Sequence, residues 1–115
     1  MRAILIDPVE RTITEVEHDG NYKSIYPQLG CDLFTCVYLE NDDAMFVDDE
    51  GLLKGGQHFF KLNTYPQPLA GRGLILGCDA DGETAGATIS LEEITGRITF
   101  LGAFDEVQVH MLGMF

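Results

Sequence analysis

Six carboxylates lie within one short stretch of the chain, ENDDAMFVDDEG at residues 40–51, around four apolar side chains. Residues of this type and density suit three kinds of chemistry: a metal-binding loop, a catalytic pair of carboxylates, or an acidic surface that imitates a polyanion. The spacing of the acids and the type of their neighbours distinguish the three. The acids are Glu40, Asp42, Asp43, Asp48, Asp49 and Glu50.

The spacing argues against a selective calcium loop. A loop of the EF-hand type needs glycine at its sixth position, and counting from either Asp42 or Asp43 finds no glycine there. The other acidic segment, DADGET at residues 79–84, has acids at its first, third and fifth positions but Thr84 at its sixth. We therefore expect no metal site in this chain.

A catalytic pair of carboxylates is also disfavoured, because such a pair divides acid and base roles only when burial separates the two affinities for protons. The acids of residues 40–51 stand beside turn formers such as Asn41 and Gly51, where we expect water to surround them. The sequence thus predicts a solvated hairpin rim, which is an acidic surface.

The net charge indicates the class of partner for such a surface. The 115 residues include 19 acidic and 7 basic side chains, which gives a formal charge of −12. Binding to DNA, RNA or anionic lipid depends on cationic groups that displace counterions, so we expect neither direct nucleic-acid binding nor membrane binding. A protein with a basic surface is the natural partner, and solubility alone is the alternative explanation of the charge.

Familiar catalytic motifs are missing from the sequence. The glycines of GRGLILG (71–77) precede a predicted strand, whereas a dinucleotide-binding loop follows a strand and opens a helix. Ser24 and Ser90 are the only serines, and neither lies in a nucleophile elbow. Cys36, on a predicted strand, is typical of a small core residue. We therefore predict a noncatalytic protein with no catalytic residues and no cofactor.

A second kind of site is a small-molecule pocket around an isolated arginine. Arg72 stands between two glycines in TYPQPLAGRG (64–73), where backbone N–H groups can approach a phosphate or a carboxylate. The alternative is a rigid connection in which Arg72 pairs with a neighbouring acid. The other candidate residues of this pocket are His58, Tyr65, Lys54 and Lys61.

Apolar and β-branched runs bounded by turn formers predict a strand-rich protein. We predict an α+β fold with one domain over residues 1–115, built from a mixed or antiparallel sheet with one or two short helices. The strands are predicted at 2–7, 12–18, 32–40, 44–51, 59–63, 74–78, 97–102 and 107–112.

Two short helices are predicted between these strands. Apolar residues at helical spacing over 22–29 predict the first, which Gly30 should end, although Pro27 lies inside it. In SLEEITG (90–96) a serine followed three residues later by glutamate forms a capping box, which predicts a helix that the glycine ends.

The cysteines and the termini indicate the compartment. An odd number of cysteines without framework spacing, Cys31, Cys36 and Cys78, predicts reduced thiols and a cytoplasmic protein. No stretch approaches the roughly 18 apolar residues of a membrane span, and MRAILIDP lacks the apolar core of a signal peptide. The apolar segments FLGAF (100–104) and HMLGMF (110–115) are predicted to be core or an interface for self-association.

Three segments, MRAILIDPVERTITEVEHDGNYKSIYPQLGCD, FVDDEGLL and PLAGRGLILGCDADGE, resemble a small family of domains of unknown function encoded on bacteriophages and integrated mobile elements. The likeness covers about residues 1–84. It implies a phage or prophage gene acting in a bacterial host cell and supplies no catalytic residues. Small phage proteins of this type often act by stoichiometric binding to host machinery.

Three hypotheses follow. The first is an accessory protein that binds and inhibits a host protein, such as a defence or nucleic-acid-handling complex, through the six acids of residues 40–50. The second is a nucleotide or small-molecule sponge that uses His58, Tyr65 and Arg72. The third is an enzyme of unfamiliar type, built from residues distant in sequence, such as Cys31 or Cys36 with a histidine.

Overall fold

The computed structural model describes residues 1–50 and 58–103, which form two antiparallel sheets and two short helices. This confirms the predicted strand-rich α+β fold. The strands are β1 (Arg2–Asp7), β2 (Thr12–Glu17), β3 (Phe34–Tyr38), β4 (Ala44–Asp48), β5 (His58–Leu62), β6 (Leu69–Ala70), β7 (Gly73–Cys78), β8 (Thr84–Ala85) and β9 (Ile98–Ala103). The helices are α1 (Ile25–Leu29), preceded by a 3₁₀ turn at Tyr22–Ser24, and α2 (Leu91–Arg97).

Neighbouring strands of the larger sheet follow the order β2–β1–β7–β4–β3, and β8 pairs with the end of β7. The smaller sheet has the order β6–β5–β9. Every pairing is antiparallel. Within residues 1–50 and 58–103, strands β2 and β3 are therefore the two edges of the larger sheet.

The larger sheet has apolar side chains on both faces because its central strands are apolar at consecutive positions, apart from charged residues at the strand ends. Ile4 and Ile75 point to one face, where the smaller sheet and α2 pack. Ala3 and Leu74 point to the other face, where α1 packs. The first face also includes Ile6, Val37, Met45, Val47, Phe60, Leu62, Leu69 and Ile94; the second includes Ile25, Leu29, Cys31 and Leu76.

The first helix ends as predicted. Gly30 adopts a left-handed conformation with φ of 70°, and its N–H donates to the carbonyl of Tyr26 at 2.8 Å. Pro27 is tolerated because it lies in the first turn, where its missing N–H has no partner to lose. Tyr22, expected on the buried stripe, is exposed because the chain is a 3₁₀ turn there.

The second helix begins at the predicted cap, since Ser90 Oγ accepts from the backbone N–H of Glu93 at 3.1 Å. Gly96 does not end it; the helix continues to Arg97, and Ile98 is extended. The predicted strand over 97–102 accordingly begins one residue later. The predicted strand at 107–112 and the C-terminal apolar residues beyond 103 lie outside the described residues.

Candidate functional site

The acids of residues 40–50 do not form one edge. Glu40 and Asp42 lie in the β3–β4 turn, whereas Asp48, Asp49 and Glu50 lie at the opposite end of β4. The five residues of β4 span about 17 Å at roughly 3.4 Å per residue. That separation exceeds the Debye length of about 8 Å at physiological salt, so the two groups act on a partner separately.

Asp43 contradicts the expectation of a solvated acid, because it is only 1% exposed. Its Oδ1 accepts from the backbone N–H of Thr88 at 2.9 Å, and its Oδ2 accepts from the Thr88 hydroxyl at 2.8 Å and the N–H of Ile89 at 2.9 Å. These bonds satisfy the buried carboxylate and hold the β3–β4 hairpin against the segment that precedes α2. Asp43 is structural, since both of its carboxylate oxygens accept hydrogen bonds from within the chain.

Glu40 is exposed, but it already has a cation. Its Oε2 accepts from Arg97 Nη1 at 2.7 Å, while Arg97 also donates to Asn63 Oδ1 and Thr64 Oγ1. A hydrogen bond from its own backbone N–H, and then the Arg97 guanidinium, lower the pKa of Glu40. Its charge is thus partly neutralised within the chain.

The other end of β4 borders a small cavity of about 160 Å³ that Asp48, Asp49 and Tyr65 line. Asp48 Oδ1 accepts from the N–H of Glu50 at 2.9 Å. Tyr65 faces this cavity, and neither His58 nor Arg72 lines it.

Two cations of the predicted small-molecule pocket, Arg72 and Lys61, are engaged within the chain. Arg72 Nε lies 3.6 Å from Asp7 Oδ2, and its Nη1 donates to the carbonyl of Gln28 at 3.3 Å. This arrangement matches the alternative in which Arg72 pairs with a neighbouring acid. Lys61 donates to the Tyr65 carbonyl, which commits that cation as well. Lys54 lies outside the described residues.

A different acidic group surrounds the β3–β4 turn. The β7–β8 turn carries Asp79, Asp81 and Glu83, all exposed, and it is compact because Asp79 Oδ1 accepts from the N–H groups of both Asp81 and Glu83. Gly82 of this turn and Asp42 line one cavity of about 510 Å³, whereas Asp79, Asp81 and Glu83 lie beside it in the same turn and do not line it. We call Asp42, Asp79, Asp81 and Glu83 the acidic rim. The sequence shows only two separate acidic turns; the strand order β7–β4–β3 brings them to the same end of the sheet.

The floor of this larger cavity is uncharged. It includes Cys36, Tyr38, Phe46, Leu76 and Cys78, which share the α1 face of the sheet beyond the part that α1 covers. Tyr38 is 81% exposed, the highest value among the large hydrophobic residues described. Cys36 is half-buried rather than the core residue that its neighbours in sequence suggested.

Tyr38 and the cysteines interact at this surface. A hydrogen bond with the Cys36 side chain is the main cause that raises the pKa of Tyr38. A tyrosine hydroxyl is protonated at neutral pH even at its ordinary pKa of about 10, and it is a group that can donate a hydrogen bond. A tyrosine with an apolar ring and an available hydroxyl is the residue type that interfaces most often use as an anchor.

Strand β3 also presents an open backbone edge. The N–H of Leu39 donates to Asp43 O, and the N–H of Asp49 donates to Leu33 O, so odd-numbered residues of this segment face β4. The N–H and C=O groups of Phe34, Cys36 and Tyr38 consequently point away from the sheet. Among the described residues these backbone groups have no hydrogen-bond partner.

The opposite edge is built differently. Met1 and His18 exchange backbone hydrogen bonds of 3.0 and 2.7 Å, so the backbone groups of Ile13, Glu15 and Glu17 point outward from β2. Glu15 pairs with Arg2, and Glu17 pairs with the N-terminal ammonium at 3.0 Å. Charged side chains on an edge strand discourage pairing with another strand.

Metal binding and membrane insertion each need features of their own. The described residues contain no cluster of three or more histidine, cysteine or acidic side chains suited to a metal ion. Of the helices in the described part of the chain, none has the length and apolar character to cross a membrane.

Comparison with known proteins identifies a family, but that family is described only as a domain of unknown function. The chain is 33% identical over 94 residues to the uncharacterized protein y4iR of Sinorhizobium fredii (strain NBRC 101917 / NGR234), which is 79% of this chain and 58% of that protein. The chain thus spans little more than half the length of this curated relative. No solved structure matches the chain. The family model DUF3846, a domain of unknown function, matches residues 1–101, which is more of the chain than the residues 1–84 that carry the resemblance in sequence. The chain belongs to this family.

Proposed function

We propose that this chain is a noncatalytic accessory protein, encoded on a phage or mobile element, that binds and inhibits a basic protein of its bacterial host. The observation that carries the proposal is the uncharged, unpaired edge of β3 beside the acidic rim. An open edge offers backbone hydrogen bonds to an extended segment, and the rim selects segments with Lys or Arg.

The edge supports a particular mode of binding, the addition of a partner strand to β3. Its residues, FTCVY, include no charge and no proline, which are the features that usually prevent edge-to-edge pairing. The outward groups of Phe34, Cys36 and Tyr38 supply three donors and three acceptors, and the side chains of Cys36 and Tyr38 lie on the face that borders the cavity.

Charge favours a foreign strand over a second copy. Each copy carries a formal charge of −12, so two copies paired through β3 would place their acidic rims in repulsion. A basic segment instead gains steering toward the same place. Self-association through the C-terminal apolar residues stays a prediction, because those residues beyond 103 lie outside the described part of the chain.

The test is capture of the partner from a bacterial lysate at low and high salt, followed by binding measurements with the identified, purified partner. We expect a basic protein that dissociates as salt rises and whose activity falls on binding. Variants Asp42→Asn and Asp81→Asn should weaken the complex, whereas Asp49→Asn, at the other end of β4, should not. Binding that ignores salt and survives both rim variants would contradict the proposal.

A further inference from the structure

A further cavity lies where β2 meets α1. It has a volume of about 390 Å³ and is lined by Glu17, His18, Asp19, Ser24, Pro27 and Gln28. Volumes of 300–1,000 Å³ are typical of small-molecule sites. The proposed protein-binding edge shares none of these residues.

His18 is the first unusual feature of this cavity, since it is 3% exposed. Its Nδ1 accepts from the N–H of Gly20 at 2.9 Å, so the proton of the neutral ring is on Nε2. That Nε2 is buried and has no hydrogen-bond partner among the described residues. A buried donor without an acceptor is rare in folded proteins.

Gln28 is the second unusual feature. Its Nε2 donates to the carbonyl of Glu17 at 3.0 Å, which identifies Oε1 as the other polar atom of the amide. Oε1 is also buried without a partner among the described residues. One cavity therefore has an unused donor and an unused acceptor on side chains that line it.

Gln28 is also the side chain that can move. It is half-buried and its amide is held by a single side-chain hydrogen bond. His18, in contrast, is fixed by its ring bond to Gly20 and by backbone bonds to Met1. Because both unused atoms are buried, a ligand reaches them only when a side chain of the cavity moves, and Gln28 is the less constrained of the two.

The charge of the cavity selects cations. Asp19 accepts from the N–H of Asn21 at 2.8 Å and from the Ser24 hydroxyl at 2.7 Å, and these two bonds lower its pKa. Glu17 adds a second carboxylate, partly offset by the N-terminal ammonium. A protonated amine fits beside Asp19, and a hydroxyl group can both accept from His18 and donate to Gln28.

We propose that the cavity between β2 and α1 binds a small hydroxylated amine, such as an amino sugar, through His18 Nε2, Gln28 Oε1 and the Asp19 carboxylate. This inference stands apart from the protein-binding function, because none of its residues belongs to β3 or to the acidic rim. The proposed ligand is a small molecule, as in the second hypothesis from the sequence, but it binds at residues that the sequence did not indicate.

The experiment is an NMR titration of the full chain with three probes: glucosamine, N-acetylglucosamine and cyclohexylamine. N-acetylglucosamine has the hydroxyls without the charge, and cyclohexylamine has the charge without the hydroxyls. We expect saturable shifts of the His18 ring nitrogens and of the amides of residues 17–28 with glucosamine, and at least tenfold weaker responses with the other two.

Matched variants complete the test. Gln28→Leu should abolish the glucosamine response, Asp19→Asn should weaken it, and Gln67→Leu, an exposed glutamine elsewhere, should leave it unchanged, with folding checked by thermal melts. Equal responses to glucosamine and cyclohexylamine, or a response that survives Gln28→Leu, would overturn the proposal. So would the absence of any saturable shift, which would mean that a bridging water alone satisfies the two atoms.

Discussion

The two edges of the larger sheet differ in whether charged side chains protect their outward backbone groups from pairing with another strand. At β2, Glu15 and Glu17 stand among the outward residues and pair with Arg2 and the N-terminal ammonium. At β3, the outward residues are Phe34, Cys36 and Tyr38, with no charge among them. Since unpaired edges invite association, the difference identifies β3 as the edge available to a partner.

The difference also extends to what surrounds each edge. The carboxylates at β2 are balanced by cations of the same chain, whereas the acidic rim beside β3 has a structural Asp79 and the exposed Asp42, Asp81 and Glu83. None of the salt bridges found among the described residues includes a rim acid. The carboxylates of β2 therefore pair with cations of the chain, whereas the exposed acids of the rim beside β3 are available to a partner.

The largest expected effect comes from Asp43, which holds the β3–β4 hairpin in place. Asp43→Ala leaves the N–H groups of Thr88 and Ile89 without acceptors, and we expect it to lower the free energy of unfolding by about 3 kcal/mol. Urea denaturation measures this free energy of unfolding. Asp49→Ala, an exposed acid at the other end of β4, should change it by less than about 0.5 kcal/mol; equal effects would contradict the structural role of Asp43.

The second effect compares the edges directly. Cys36→Pro removes an N–H that points away from β4, so the ladder stays intact while the edge can no longer pair. We expect partner affinity to fall at least about tenfold, or 1.4 kcal/mol, in calorimetric titration. Glu15→Pro makes the same change at β2 and should leave affinity unchanged. Equal losses at both edges would refute the assignment of β3.

A smaller effect sharpens the electrostatic part of the comparison. Neutralising one rim acid, by Asp42→Asn, Asp81→Asn or Glu83→Gln, should weaken binding by about 0.2–1 kcal/mol, the range of exposed ion pairs. The loss should shrink at high salt and appear mainly in the association rate, as measured by surface plasmon resonance. A loss that is unchanged by salt would point to a structural role for that acid.

The smallest effect concerns Glu40, whose folded-state pKa is lowered from 4.5. A group with a lowered pKa adds stability above its unfolded pKa and loses that contribution as pH falls through the folded value. Wild type should therefore melt slightly higher than Glu40→Gln near neutral pH, and the gap should close below about pH 4.5. Thermal melts over a pH series measure this difference in melting temperature, and a difference that widens in acid would contradict the prediction.

Local features of the fold could be predicted from sequence. The β1–β2 and β3–β4 hairpins, the end of α1 at Gly30 and the cap of α2 at Ser90 each depend on residues a few positions apart. Such short-range signals are set by turn and cap chemistry. Gly96 failed as a stop signal because the helix continues through Arg97, and the chain becomes extended two residues after the glycine, at Ile98.

The site could not be predicted because it depends on strand order. Asp43 is buried by Thr88 and Ile89, 45 and 46 residues away, and nothing near Asp43 in sequence marks it. The acidic rim exists only because β7 lies beside β4, and β3 is an edge only because no described strand follows it. His18 and Gln28 likewise meet through the packing of α1 beside β2.

Backbone hydrogen exchange, followed residue by residue in the free protein and in its complex with the captured partner, tests the central claim most directly. We predict that the amides of Phe34, Cys36 and Tyr38 exchange rapidly in the free protein and become protected in the complex. The outward amides of Ile13, Glu15 and Glu17 should be unchanged by binding. Protection that appears at β2, or at neither edge, would contradict strand addition at β3.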